Sequence, residues 1–300
     1  MNKIAKTVLM TGTALCVAGV VLSTAGYFAG GKDFTYTSDH MYVSGGNSSS
    51  RKNLTVMKKE QIDDFTKLNV DFEDFDLDIR TSDDDHYYME YKLEKNGRKN
   101  PLTWKDKDGE LTLEESAGGS GSYYITYDLG IFSTHADLIE KKDALNTVIL
   151  YIPEKAQLSE AELQLSDGDL TADQLLCKEM TLELLNGDLM LDKGEFEKFD
   201  AKLSDDLNVK ELQCTDNMQL KSGNGDVTIK KAELADGQIA LSDGDLQIDN
   251  GSFNGDMKIN SSCGDVSVEM KNGSAEKTNI YLKAADGDVD TEGLSRGKSD

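Results

Sequence analysis

Ser166-Asp167-Gly168-Asp169-Leu170 is the first clear copy of a phrase that returns through the second half of this 300-residue chain. The other copies are Asn186-Gly187-Asp188-Leu189, Ser204-Asp205-Asp206-Leu207, Asn224-Gly225-Asp226-Val227, Ser242-Asp243-Gly244-Asp245-Leu246, Cys263-Gly264-Asp265-Val266 and Asp286-Gly287-Asp288-Val289. From one final aspartate to the next, the steps are 19, 18, 20, 19, 20 and 23 residues. A period of about 20 residues is typical of a solenoid, in which each repeat forms one coil and buries its apolar side against its neighbours.

Apolar residues recur at fixed distances from the repeated aspartate. Leucine or valine follows it in every copy, and the position six residues before it holds Leu163, Leu182, Leu220, Ile239, Ile259 and Leu282. One gap in the glycine-free copy brings Phe199, Ala201 and Leu203 into the same register. Spacings of two place such residues on one side of a strand. The pattern predicts an all-β, parallel β-solenoid, right-handed by default, whose coils run strand, aspartate corner, strand, second turn and short third segment.

The regular coils are predicted over residues 161–293, and the polar tail 294–300 is expected to cap the open end. Residues 61–160 carry the same signals less regularly and are interpreted as early coils. Placing Asp74 on the repeated aspartate puts Val70 before it and Leu77 after it at offsets that the later copies also show, so Asp74 is predicted to mark an early corner. The apolar run ending at Pro153 predicts a strand buried on both faces.

The N-terminal residues 1–31 combine Lys3 and Lys6 with a long uncharged stretch. This pattern predicts a transmembrane helix with a cytoplasmic N-terminus and an extracytoplasmic body, which places the protein in the cell membrane as a single-pass protein. A cleaved signal peptide is the alternative, with a small-residue site at Ser23-Thr24-Ala25. Residues 32–60 are predicted to form a flexible tether that includes a short extended piece near Leu54.

The chain has a net charge of −24 and a sequence pI near 4.4. A protein that binds nucleic acid needs basic side chains to displace counterions from phosphate, so this class of partner is excluded. The acidity is typical of a solvated, self-repelling surface. A face that binds cations or wall material is the alternative.

Cys16 lies in the apolar N-terminal stretch, which leaves three cysteines in the body. Cys177 and Cys214 each follow their aspartate by eight residues, where other copies hold Phe196, Leu234 or Phe253. Such a column predicts buried positions. Two coils at about 4.8 Å each would separate the two thiols by roughly 10 Å, which is too far for a disulfide.

The column of repeated aspartates is the one constellation that could carry chemistry. Stacked carboxylates could hold Ca²⁺ between coils. The structural interpretation is that glycine supplies a positive φ at the corner while the aspartate accepts backbone N–H groups in a local turn. Because the second acidic position varies to Asn186, Asn224 and Cys263, the structural role is preferred and no cofactor or metal site is assigned.

No enzyme is predicted, and no residue is nominated as catalytic, cofactor-binding or metal-ligating. His40, His86 and His135 are scattered, and Ser166 and Ser242 have no histidine at a matching offset. No nucleophile elbow, metalloprotease motif or phosphate loop is present. The remaining candidates are aromatic residues that could stack on sugars or simply pack in strands, namely Trp104, Tyr87, Tyr88, Tyr123 and Tyr124.

The run from Val148 to Ala156, with Pro153 near its end, followed by the first coil from Leu163 to Leu170, resembles the bacterial domain-of-unknown-function family described as putative adhesins. The resemblance covers about residues 65–292 and implies a β-solenoid, commonly with one N-terminal membrane helix and sometimes with a link to envelope stress. It supplies no catalytic residues.

The sequence therefore predicts a membrane-anchored, extracytoplasmic module for adhesion or cell-envelope interaction, with a protein or a cell-envelope glycan as its ligand. One alternative is an accessory protein in envelope-stress sensing. The other is a glycan-active β-helix enzyme.

Overall fold

The computed structural model describes residues 34–36, 41–43, 54–117, 125–126, 145–271 and 279–292. Two predictions therefore lie outside the described residues, namely the transmembrane helix within 1–31 and the capping tail 294–300. Within the described ranges, no helix has the length and apolar character needed to cross a membrane.

The described secondary structure is all β. The strands are β1 (Phe34–Tyr36), β2 (Met41–Val43), β3 (Leu54–Ile62), β4 (Lys67–Phe72), β5 (Asp76–Ser82), β6 (Tyr87–Glu94), β7 (Leu102–Lys107), β8 (Glu110–Glu115), β9 (Ile125–Thr126), β10 (Thr147–Pro153), β11 (Leu158–Leu165), β12 (Leu170–Leu184), β13 (Leu189–Leu203), β14 (Leu207–Ser222), β15 (Val227–Leu241), β16 (Leu246–Phe253), β17 (Asp256–Cys263), β18 (Val266–Met270), β19 (Asn279–Asp286) and β20 (Val289–Glu292).

The chain divides into two compact units, 1–53 with 119–141 and 54–118 with 142–300. In the first unit, β1 pairs antiparallel with both β2 and β9. The second unit contains the repeats, and β3 begins it inside the segment predicted as a tether.

The repeats form the predicted parallel β-solenoid, with about six turns. Strands β11 to β15 stack in parallel one coil apart, and β16 to β20 continue the stack as shorter pieces. Phe199, Ala201 and Leu203 pair with Met180, Leu182 and Leu184, which confirms the predicted gap in the glycine-free corner. The next strand, β14, carries one extra residue at its second bend, where the register shifts after Cys214.

Each regular coil is one long strand with two bends. β12, β13 and β15 each span 15 residues, from one aspartate corner almost to the next. In β12 the alternation of buried and exposed residues changes phase at Asp173-Gln174 and again at Lys178-Glu179. A coil therefore has three short faces, and the predicted second turn is a bend within a continuous strand.

The interior is a set of apolar columns that run the length of the solenoid. The column directly after the aspartate, from Leu170 to Val266, is at most 2% exposed. Cys177, Phe196, Cys214, Leu234 and Phe253 also stack in register, as predicted, and both cysteines are buried free thiols.

A second column of residues compensates for the differences in side-chain volume within that stack. The residues two positions earlier are Leu175, Gly194, Leu212, Ala232 and Gly251, so glycine stands wherever its own coil carries phenylalanine. A Cβ on Gly194 would lie 2.6 Å from Cε2 of Phe196, and one on Gly251 would lie 2.8 Å from Cε2 of Phe253. Each coil thus keeps its core volume close to that of its neighbours, as dense packing requires.

The first coil corrects one prediction. β4 pairs with β11 and β5 with β12, with Val70 opposite Leu163 and Leu77 opposite Leu170. These registers make Asp76, and not Asp74, the equivalent of Asp169. The predicted register was wrong by two residues because a shift of two leaves the same side chains pointing inward.

The two ends of the stack differ. Beyond β4 and β5 the stack continues through β8 to the antiparallel β7, and through β10 to the antiparallel β6 and β3. As predicted, β10 is buried on both faces, with Thr147 and Ile149 on the outer face only 8% and 7% exposed. At the other end, the described residues place nothing beyond β19 and β20, which pair only with β17 and β18.

Candidate binding surfaces

The repeated aspartates form a continuous hydrogen-bond ladder along one corner of the solenoid, here called the aspartate ladder. In each rung, the backbone N–H of an aspartate donates to Oδ1 of the equivalent aspartate one coil earlier. The rungs, from acceptor to donor, are Asp76 to Asp169 (3.0 Å), Asp169 to Asp188 (2.9 Å), Asp188 to Asp206 (3.2 Å), Asp206 to Asp226 (2.8 Å), Asp226 to Asp245 (2.8 Å), Asp245 to Asp265 (2.8 Å) and Asp265 to Asp288 (2.8 Å). The carboxylates therefore join neighbouring coils, and the prediction that they close local turns was wrong.

The corner glycines are required by close contact between coils. A Cβ on Gly187 would lie 2.1 Å from the carbonyl oxygen of Gly168, and one on Gly264 would lie 2.2 Å from that of Gly244. Only some of these glycines also have a positive φ, such as Gly244 at +99°. The prediction that glycine supplies a positive φ at every corner is thus corrected, because Gly168 and Gly187 are chosen for the space that they leave.

The first corner is closed by an ion pair that replaces the missing earlier coil. Oε2 of Glu115 accepts the N–H groups of Glu73 and Asp74 at 2.9 and 2.7 Å, while Nη1 of Arg98 lies 2.7 Å from Oε1 of Glu115. The two side chains are 9% and 2% exposed. Burial raises the pKa of Asp76 at the base of the ladder above its ordinary value.

This geometry gives the aspartate ladder a structural role. One oxygen of each ladder aspartate up to Asp265 accepts a backbone N–H, which satisfies a donor that the stacked corner would otherwise leave to water. Within the described ranges, no group of three or more His, Cys, Asp or Glu side chains is placed to hold a metal ion. Ser166 and Ser242 lie in these corners, and the one described histidine, His86, lies in the turn before β6.

The cysteines are poor nucleophiles. Burial raises the pKa of Cys177 to about 12 and also raises that of Cys214. Cys263 is exposed, but the neighbouring Asp243 raises the pKa of its thiol. A thiolate attacks and a thiol does not, so none of the three is activated for catalysis.

The flat faces of the solenoid carry ion pairs that follow the coil spacing. Lys198 lies 2.9 Å from Glu179, Lys231 lies 3.2 Å from Glu211, and Lys67 lies 2.7 Å from Glu160. In each pair the partners occupy the same position on adjacent strands. Exposed pairs contribute about 0–1 kcal/mol each, and they give these faces a self-paired polar surface.

A different surface lies on the outer face of β5, β10, β6 and β3. Arg80, Tyr151 and Tyr88 stand opposite one another on adjacent strands and so share one face. Nζ of Lys59 lies 3.7 Å from the ring centre of Tyr151 and 5.0 Å from that of Tyr88. Together with Glu90 on β6, these five residues are here called the tyrosine patch.

The polar atoms of the tyrosine patch are held in place. The Tyr151 hydroxyl donates to Oε1 of Glu90 at 2.6 Å, and Arg80 donates through Nε and Nη2 to Oδ2 of Asp78. Burial, followed by the bond to Glu90, raises the pKa of Tyr151. Two aromatic rings and fixed polar groups of both signs thus share one side of a sheet, an arrangement that can bind a ring with hydroxyl groups.

The aromatic candidates from the sequence do not share one surface. Tyr88 lies in the tyrosine patch, whereas Tyr87 is buried with its ring 4.7 Å from that of Phe65. Trp104 is exposed on β7, which pairs with β8, and it is not one of the five residues of the patch. Tyr123 and Tyr124 lie outside the described residues. Lys59, Arg80, Glu90 and Tyr151 were not predicted, because only the pairing of distant strands brings them together.

Several solved structures are similar to this chain. No curated protein matches the chain. Among solved structures, a putative adhesin from Bacteroides fragilis has 13% identity and a TM-score of 0.38, and covers 80% of this chain and 97% of its own. A putative cell adhesion protein from Clostridium sporogenes has 18% identity and a TM-score of 0.34, with coverage of 79% and 99%. A putative lipid binding protein from Parabacteroides distasonis has 13% identity and a TM-score of 0.41, with coverage of 83% and 96%.

At these identities and TM-scores, the solved structures say nothing about what this chain binds. The family is shown by a sequence model, which confirms the resemblance seen in the coils. The model described as Toastrack DUF4097 matches residues 65–299, most of the chain, and this protein therefore belongs to the Toastrack DUF4097 family.

Proposed function

We propose that this protein is a non-enzymatic binding module for adhesion or cell-envelope interaction, anchored in the membrane by residues 1–31 and displayed on the extracytoplasmic side. The observation that carries the proposal is the tyrosine patch. It combines aromatic rings with fixed polar groups on an irregular sheet face, while the regular coils present self-paired charges and carboxylates that serve the fold.

The ligand is a neutral glycan of the cell envelope. A chain with a net charge of −24 repels anionic polymers at long range, although salt shortens that range to about 8 Å. The rings of Tyr88 and Tyr151 offer faces for a sugar ring, and Glu90 and Arg80 offer an acceptor and a donor beside them. The Lys59 side chain over Tyr151 is displaceable, because an exposed cation–π contact contributes only about 0.5–1 kcal/mol.

Enzymatic turnover is not proposed. Polysaccharide hydrolysis uses a pair of carboxyl groups with different protonation states about 5–9 Å apart across the scissile bond. In the ladder, one oxygen of each repeated carboxylate up to Asp265 accepts a backbone N–H group, and the tyrosine patch contains one carboxylate, Glu90, which accepts from Tyr151. The patch therefore offers no pair of carboxyl groups, and binding is the function that its side chains support.

The test is retention of the full-length protein, purified in detergent, on insoluble cell-wall glycan. The double variant Tyr88→Ala with Tyr151→Ala is expected to bind about tenfold more weakly, since each ring contributes on the order of 0.5–1.5 kcal/mol. Trp104→Ala is the matched control, because it removes an exposed aromatic ring outside the patch, and it should bind like wild type. Equal retention of all three proteins would show that the tyrosine patch does not bind the glycan.

The alternative role is an accessory protein in envelope-stress sensing, which a membrane partner would reveal. Cross-linking in intact cells followed by purification distinguishes the two roles, since recovery of one membrane protein without wall material would favour the accessory role. Release of soluble sugars from a panel of polysaccharides would support the alternative that the protein is a glycan-active enzyme. Trypsin added to intact cells should cleave the body, and protection of the body until lysis would contradict the proposed topology.

A further inference from the structure

The last described coil of the solenoid exposes residues whose equivalents in most earlier coils are buried. Val289 is 41% exposed, whereas Val266, one coil earlier in the same column, is fully buried. Ile280, Leu282 and Ala284 are only partly buried, and they pack against the core from one side. The last described coil therefore ends in an apolar layer with an open strand edge.

The aspartate ladder is also open at this end. Asp288 donates its N–H to Asp265, and the described residues include no further coil whose N–H could reach the carboxylate of Asp288. At the opposite end, Arg98 and Glu115 close the corner, and antiparallel strands complete the stack. A parallel stack with one closed end and one open end cannot grow head to tail, but two open ends can meet.

We propose that the edge strand β19 pairs with β19 of a second copy, which joins two solenoids end to end about a twofold axis. This inference is independent of the proposed glycan ligand. A twofold axis relates identical strands in opposite directions, so the pairing is antiparallel and the interface closes after two copies. The sequence of β19 supports a second copy as the partner, because the strand is complementary to itself when two copies pair antiparallel.

The register follows from the side-chain alternation. Residues directly opposite in an antiparallel pair point to the same side, so the inward residues of one copy must oppose those of the other. The twofold axis must then place one residue of β19 directly opposite the same residue of the second copy. Centring it on Lys283 would oppose two ammonium groups, and centring it on Tyr281 would pair only residues 279–283 because β19 begins at Asn279. Centring it on Leu282 pairs the longer stretch 279–285 of the two copies.

The register centred on Leu282 places compatible side chains opposite each other on both faces. On the inner face, Leu282 meets its own copy and Ile280 meets Ala284, which extends the two apolar cores into one. On the outer face, Tyr281 meets Lys283 twice by symmetry, an aromatic–cation pair. Tyr281 is 60% exposed in the single chain, and the pairing gives this large side chain a partner.

The experiment is light scattering with size-exclusion chromatography on the full-length protein in detergent, over a range of protein concentrations and in moderate salt to screen its charge. Wild type is expected to form a dimer. Tyr281→Lys opposes two ammonium groups at two symmetric sites and should weaken association about tenfold. Adding Lys283→Glu to that variant restores opposite charges and should restore the dimer.

Lys258→Glu is the matched control, since Lys258 lies opposite Tyr281 one coil inside the edge and is exposed on the same outer face. It should leave association unchanged. In a Cys16→Ser, Cys263→Ser background, Leu282→Cys should form an intermolecular disulfide under mild oxidation, and Asp290→Cys on β20 should not. The disulfide test reads the register directly and does not depend on affinity.

Two results would overturn the proposal. A wild-type protein that stays monomeric at about 100 μM, a concentration at which even weak complexes are populated, would show that no second copy binds the edge. If removal of residues 293–300 then produced a dimer, the tail would be the occupant. A dimer that Tyr281→Lys leaves intact would place the interface elsewhere.

Discussion

Replacing Asp226 tests whether the repeated aspartate acts as an acceptor between coils. Its Oδ1 accepts the N–H of Asp245 at 2.8 Å, and its own N–H donates to Asp206 at 2.8 Å. Asp226→Ala removes the first bond and keeps the second. A hydrogen bond to a charged group contributes about 1.5–3 kcal/mol, and the lower value applies here because the corner is exposed and water can replace the carboxylate.

The expected loss is therefore about 1.5 kcal/mol in the free energy of unfolding, or roughly 3–6 °C in melting temperature for a body of this size. Asp226→Asn keeps an oxygen at the acceptor position and removes a negative charge from a column of carboxylates. Neighbouring carboxylates about 5 Å apart repel by on the order of 1 kcal/mol in water, and by less in salt. This relief offsets the weaker neutral acceptor, so Asn should lie within about 0.5 kcal/mol of wild type.

The measurement is a thermal melt of the three proteins combined with hydrogen exchange at the amide of Asp245. The Ala variant should melt lower and exchange faster at that one amide, whereas the Asn variant should do neither. An Asn variant as unstable as the Ala variant would refute the reasoning, because it would show that the charge itself is needed.

Three further predictions concern the core, the thiols and the first corner. In denaturant unfolding, Phe196→Cys alone should lower the free energy of unfolding by about 2–4 kcal/mol through a cavity, and Gly194→Leu alone by about 1–3 kcal/mol through a clash. The double variant copies the Leu175–Cys177 pair and should fall within about 1 kcal/mol of wild type, whereas additive losses would contradict the volume compensation. A thiol reagent should label Cys263 in the native protein and reach Cys177 and Cys214 only after unfolding, and rapid native labelling of either buried thiol would contradict the coil register. Because the pKa of Asp76 is raised, the folded state holds the carboxyl proton more tightly than the unfolded chain does. Wild type should therefore lose stability relative to Asp76→Asn as the pH rises from below the ordinary aspartate pKa through the raised one. A constant difference in melting temperature across that pH range would contradict the burial of this carboxyl group.

The repeat could be predicted from the sequence because its signal is periodic and redundant. Columns such as Leu170 to Val266 place the same residue type at the same offset in each copy, and strand alternation turns that spacing into one interior. The register of the first coil could not be predicted in the same way. Asp74 and Asp76 differ by two residues, and hydrophobic alternation is blind to a shift of two.

The details of the corner depend on contacts between coils. The sequence shows that Gly187 and Asp188 recur, but only the stacked backbone shows that a Cβ at Gly187 would strike the carbonyl of Gly168 and that Asp188 bonds to the next coil. The tyrosine patch is harder still to predict. Tyr151 and Arg80 are far apart in the chain and meet only because β10 inserts between β5 and β6.

The central claim is that the repeated aspartates serve the architecture as hydrogen-bond acceptors and need no bound cation. The direct test is the thermal melt of the full-length protein in millimolar calcium against the same melt in excess chelator. The ladder geometry predicts the same midpoint in both solutions, since each carboxylate that holds a coil together does so through a backbone N–H. A midpoint several degrees higher in calcium would show that the folded state binds the ion, and it would contradict the account.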